Sequence, residues 1–278
     1  MSSLRHFSAK GPDSPDTKAL SWWRALCALA GLNVCLWLAV WYAGPGSGSG
    51  SDSSFYAGWQ LTLSGVYVMV CAYHSVLPRV DLERLVVVDS FWSSIILGRA
   101  AATVAEICFG VQLGLLVHQL GAMAELPMVQ HAAWGIPVFM TLAQVFCWHS
   151  VLTLNHITQA VESLLWAAGF SFTAALLAVI AGYSIGWVHA LAVFGLVCSL
   201  VFVTYVLAVD APMYLRRHRE GKARGQAYLS LAQGTRDALY RRVPSRHWSA
   251  WKDDAMWLTP YFSVGAWASI AMVWAPGH

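Results

Sequence analysis

A glutamate at position 106 stands in LGRAAATVAEICFGVQ, where the only other charge is Arg99, seven residues earlier. Seven residues are two helical turns, so both side chains fall on one face, with Thr103 between them. An ionised carboxylate in hydrocarbon is costly and usually faces a partner or a cavity. Two chemistries fit: a buried ion pair that locks a helix, or a proton donor or acceptor. A carboxyl kept from water can hold a proton near neutral pH.

A second group lies in CWHSVLTLNHITQAVESLLW, residues 147–166, inside a region (136–182) whose single full charge is Glu162. Asn155, Gln159 and Glu162 sit at i, i+4 and i+7, on one helical face. His156 and Ser163 form a second stripe beside it. On the preceding helix Thr141, Gln144 and Trp148 share a face, with His149 on another. Acid–base work is assigned to Glu106, Glu162, His149 and His156. Holding a substrate is assigned to Arg99, Gln144, Trp148, Asn155 and Gln159.

Metal chemistry would need three or four converging His, Cys, Asp or Glu ligands. His74, His149, His156, Glu106 and Glu162 supply the atoms. The chain nevertheless contains no HxxxH, HExxH or ExxH spacing, so no metal is assigned. The final apolar stretch, WLTPYFSVGAWASIAMVWAPGH, has no histidine before its last residue and no lysine, which leaves a Schiff-base cofactor without an anchor there. A b-type haem would need two facing histidines at one depth, and His74 with His149 is the available pair. The cofactor is left open.

The elements that position these groups follow from composition. The 278 residues are 58% hydrophobic and 11% charged, where a soluble domain carries about 25% charged residues. Continuous apolar runs of about 20 residues point to membrane-spanning helices rather than to the short alternating strands of a barrel. The expected architecture is an all-α, polytopic membrane protein, a bundle of seven transmembrane helices at about 22–43, 56–77, 94–119, 132–153, 157–181, 187–210 and 256–275. Asn155 is placed to cap the fifth. Residues 1–20 read as a polar, mobile tail without the apolar core of a signal peptide. Residues 44–54, GPGSGSGSDSS, read as a flexible connection. Residues 21–278 form the transmembrane domain, with a basic segment at 211–255. No repeat relates two halves.

Lys and Arg set the direction. All 17 lie before residue 25, at 79–99, or at 216–252, so those segments are expected on the cytoplasmic side and the C-terminus outside. The polar cluster then occupies the cytoplasmic half. The segment 211–255 repeats Tyr228, Leu231, Ala232 and Leu239 at helical spacing, which suggests a surface helix among anionic lipid headgroups. Basic flanks of a membrane span need no nucleic acid to explain them. All six cysteines fall in apolar runs and read as small buried residues. Of the 15 tryptophans, about half fall near helix ends, as in interfacial belts, while Trp37, Trp148, Trp166 and Trp267 lie deeper.

The function these residues suggest is an intramembrane acid–base enzyme acting on a lipid or isoprenoid-like substrate. A proton-coupled carrier or channel would use the same groups as a relay. A non-catalytic subunit of a membrane complex would use them to hold helices together.

Overall fold

A computed structural model describes residues 16–44 and 51–275. Most of the expected polar tail, and residues 45–50 of the Gly/Ser connection, lie outside them. Thr17–Leu20, assigned to the tail, already belong to the first helix. In chain order the elements are α1 (Thr17–Ala43), α2 (Ser51–Val76), β1 (Arg79–Val80), β2 (Leu85–Val86), a 3-10 turn (Phe91–Ser93), α3 (Ile95–Met123), α4 (Pro127–Ala132), α5 (Gly135–Thr153), α6 (His156–Tyr183), α7 (Gly186–Tyr205), a π turn (Val206–Asp210), α8 (Ala211–Ala223), α9 (Leu231–Tyr240), β3 (Val243–Pro244) and α10 (Trp248–Trp274). Among the described residues six helices are long and apolar enough to cross a membrane, and they agree with the first six expected spans to within a few residues at most ends.

Local chemistry sets the helix ends. Asp16 accepts from the Lys18 amide and starts α1. Ser94 accepts from Leu97 and starts α3. Asn155 caps α6 through the Ile157 amide, as its position in the sequence suggests. Leu154 closes α5 in the left-handed region, φ 58°, so α5 and α6 form a tight antiparallel hairpin.

Helix α3 is the hub, contacting α2, α4, α5, α6, α9 and α10. It approaches α5 closely because Gly110 and Gly114 repeat at a four-residue spacing. A β-carbon at Gly110 would lie 2.8 Å from Met140, and one at Gly114 3.3 Å from the Ala133 carbonyl oxygen. Deeper along α3, Gln112 donates to the Gln60 side chain at 2.9 Å and accepts from the Ser269 hydroxyl at 2.6 Å. Asn33 donates to the Phe262 carbonyl at 2.8 Å and accepts from Trp267 Nε1 at 2.9 Å. These buried polar bridges tie α1, α2, α3 and α10 into one sub-bundle. A second, α5–α6–α7, packs on the other side of α3.

A small sheet closes one end. β1 pairs antiparallel with β2, and β2 pairs parallel with β3. The start of α1 joins it, with the Asp16 amide donating to the Arg246 carbonyl. The described portions of all three basic parts therefore gather at this end. Helix α9 does not stand off the bundle. Ala238 is buried with Ile95, Cys147 and Val151. Arg84, only 1% exposed, bonds Asp237 at 2.8 Å and the Val151 carbonyl at 2.9 Å. Cys71 and Cys147 are buried, while Cys35 and Cys198 are exposed on the perimeter. Trp41, Trp59, Trp134 and Trp187 are exposed near helix ends.

Candidate functional site

Between the two sub-bundles lies a cavity of about 440 Å³. Helix α10 packs against α1, α2 and α3 but not along α6 or α7. It meets α7 at the ring of Trp257, stacked on Tyr205 with centroids 5.5 Å apart. Trp257, Pro260 and Val264 are spaced at i, i+3 and i+7, line the cavity and are exposed. The cavity is thus open on the side of the bundle between α7 and α10. Its two ends differ. Phe109, Trp166, Phe170 and Phe202 form an aromatic wall, with Phe170 and Phe202 4.4 Å apart. Towards the sheet the lining carries Arg79, Arg99, Glu106, Glu162 and Asp210.

Glu106 is saturated. Its Oε1 pairs with Arg99 Nη2 at 2.8 Å and accepts from the Tyr261 hydroxyl at 3.0 Å. Its Oε2 accepts from Gln144 Nε2 at 2.6 Å. The Gln144 carbonyl oxygen in turn accepts from Arg99 and from Thr103, each at 3.2 Å. Trp148 donates to Thr103 at 3.0 Å. One network therefore joins four residues picked from the sequence, Arg99, Glu106, Gln144 and Trp148.

Glu162 is held differently. It accepts from Gln159 Nε2 at 2.6 Å and from Trp166 Nε1 at 2.8 Å. Ser150 donates to the other end of the Gln159 amide. All these partners are neutral, and among the described residues no Lys, Arg or His pairs with Glu162, which is 8% exposed. Across the same wall Asp210 accepts from the Ser163 hydroxyl at 2.6 Å. The π turn Val206–Asp210 carries Asp210 to the cavity. Such turns, which widen a helix by one residue, recur at functional sites. At the sheet end, Arg217 donates to Glu83 at 3.1 Å. Asp254, ahead of the apolar stretch of α10, is pushed up to about 6 by burial, with Glu83 adding to the effect.

Two of the four residues assigned to acid–base work, Glu106 and Glu162, line the cavity, as do Arg99 and Gln159. His149 is exposed on the perimeter, bonded to Thr158 at 3.2 Å. His156 stacks against Tyr214, a lining residue, without lining the cavity itself. Asn155 serves as the α6 cap. Of the four deep tryptophans, Trp166 faces the cavity. Among the described residues no three His, Cys, Asp or Glu side chains converge as metal ligands do.

The cavity also holds residues that spacing did not single out: Arg79, Asp210, Tyr205, Trp257 and Tyr261. Asp210 had a signal, a lone acid in VLAVDAP at the end of an apolar run. Tyr261 had none, because its role depends on α10 crossing α3. Comparison with protein-family models, with curated proteins and with solved structures returned no match to this chain.

Proposed function

We propose that this protein is an integral, multi-pass membrane enzyme that moves a proton at the polar end of a lipid or isoprenoid-like amphiphile held in the cavity, with Glu162 as the acid–base group. In this reading α10 is a seventh span, the sheet end faces the cytoplasm, and the C-terminus lies outside. The observation that carries the function is Glu162 itself: a buried carboxylate on the cavity wall, oriented by two neutral donors and not neutralised by a cation. A structural carboxylate would be expected to resemble Glu106, which is fully paired. Two carboxyl groups on one wall, Glu162 and Asp210, would allow one to serve as acid and the other as base. Gln159 and Trp166 fix the direction of the Glu162 oxygens, as a general base requires. The aromatic wall would seat an apolar chain, while the charged end would hold a head.

The test uses purified protein reconstituted with total membrane lipid in deuterated water, followed by lipid mass spectrometry. Wild type is expected to convert one lipid class or to introduce deuterium into it. Glu162→Gln should lose that activity by about 100-fold or more while remaining folded. Equal activity in Glu162→Gln would overturn the assignment. Uptake of an amphiphile without chemical change would replace the enzyme by a carrier.

A further inference from the structure

Most charges in the cavity have an opposite partner, but one cation does not. Arg79 is 5% exposed and lines the cavity. Its Nη1 donates to the Ser94 carbonyl at 3.2 Å and to the Tyr73 hydroxyl at 3.3 Å. Its Nε and Nη2 have no partner, and no carboxylate pairs with it among the described residues. The guanidinium lies over the Tyr73 ring, 4.9 Å from its centroid, and against Gly98, where a β-carbon would fall inside it. The fold therefore leaves room at Gly98 for a buried cation and then leaves two of its donors unused. A buried, unpaired charge is strongly unfavourable. Orphaned buried donors of this kind are usually met by water, an ion or a ligand.

Two more orphans belong to the same place. Arg99, one residue beyond Gly98, has its Nη2 committed to Glu106 and Gln144 and its Nη1 4.0 Å from Asp81, but its Nε is buried without a partner. His74, 9% exposed, has a buried Nε2 without a partner and also lines the cavity. Its ring packs edge-on against that of Tyr73 with centroids 5.3 Å apart, and the Arg79 guanidinium lies over the same Tyr73 ring. The N-terminus of α3, a 29-residue helix capped by Ser94, ends beside them. Its dipole places further positive potential there.

We propose that Arg79, with Arg99 Nε and His74 Nε2, is the receptor for an oxyanion, the phosphate- or carboxylate-type head of the amphiphile, whose chain lies along the aromatic wall. The inference deepens the functional reading above and rests on the cavity being a substrate site. A guanidinium offering Nε and one Nη on the same edge matches the two-oxygen fork of such a head. The six carboxylates around the lining argue for a cationic head instead. However, Glu106 and Asp81 face Arg99, Glu83 faces Arg217, and Glu162 and Asp210 accept from neutral donors, so five of the six already have donors.

Binding to full-length protein in neutral detergent separates these outcomes. Dodecyl phosphate, dodecyltrimethylammonium, dodecanol and inorganic phosphate are compared by thermal shift and by native mass spectrometry. Dodecyl phosphate is expected to bind and stabilise, and the ammonium and the alcohol are not. Arg79→Gln should weaken dodecyl phosphate by about tenfold or more, and Arg79→Lys by less. An equal effect of inorganic phosphate alone would retain the oxyanion receptor and assign it to a free anion. Preference for the ammonium, or unchanged phosphate binding in Arg79→Gln, would overturn the proposal. Should Arg79→Gln not fold, the ranking of the four probes on wild type still decides. Loss of this head preference together with intact Glu162-dependent turnover would sink the receptor and spare the enzyme.

Discussion

At the scale of single residues, two glutamates of equal burial have opposite surroundings. Glu106 is 7% exposed and Glu162 8%, but one neutralises Arg99 and the other meets only amide and indole donors. Removing a charge should therefore act in opposite ways. Glu106→Gln leaves Arg99 with Asp81, 4.0 Å away, as its nearest carboxylate. It should destabilise the bundle by about 3 kcal/mol, as breaking a buried pair does. Glu162→Gln keeps an acceptor for one donor and removes an uncompensated charge, so its stability should stay within about 1 kcal/mol of wild type. Thermal unfolding in one detergent compares them directly, and a larger loss in Glu162→Gln would contradict the contrast. In the sequence both acids stood out for the same reason, scarcity of charge. Spacing showed that Arg99 and Glu106 share a face. It carried nothing about Tyr261, 155 residues away in the chain, or about which acid had a cation.

At the scale of elements, most helices were readable from apolar length and from the residues at their ends. The α5–α6 turn had only TLNH to mark it, and Asn155 does cap there. The docking of α9 was less readable. Its basic flanks and helical spacing suggest a helix on a lipid surface, but Gly234 lets its backbone rest on the Leu152 carbonyl, where a β-carbon could not fit. The buried Arg84 then pins it through Asp237. The signal was a glycine inside a helix, and a single sequence cannot separate close approach from mere tolerance. Gly234→Ala should lift α9 off the bundle, at about 1–3 kcal/mol. Limited proteolysis at Arg236 and Arg241 reports it: faster cleavage than wild type is expected, and unchanged cleavage would show that the contact is dispensable.

At the scale of the whole molecule, charge placement along the chain anticipated that the basic segments gather at one end, and the sheet that binds them there is the physical reason. A cavity was expected from the buried acids and aromatic residues, but its position between the two sub-bundles was not legible in the sequence. It arises because α10 leans on α1 and α3 through Asn33 and Gln112, and those bridges connect residues more than 150 positions apart. The side opening between α7 and α10 has a further consequence. Under the function proposed above, an amphiphile entering there would come from the bilayer, so its effective concentration would be its mole fraction among the lipids. Adding empty vesicles at a fixed bulk amount of ligand should dilute it in two dimensions and lower occupancy in proportion, whereas a ligand arriving from water would show no such titration. Under that function, affinities would belong on a surface-density scale, and the saturation point would shift with the lipid-to-protein ratio of the preparation.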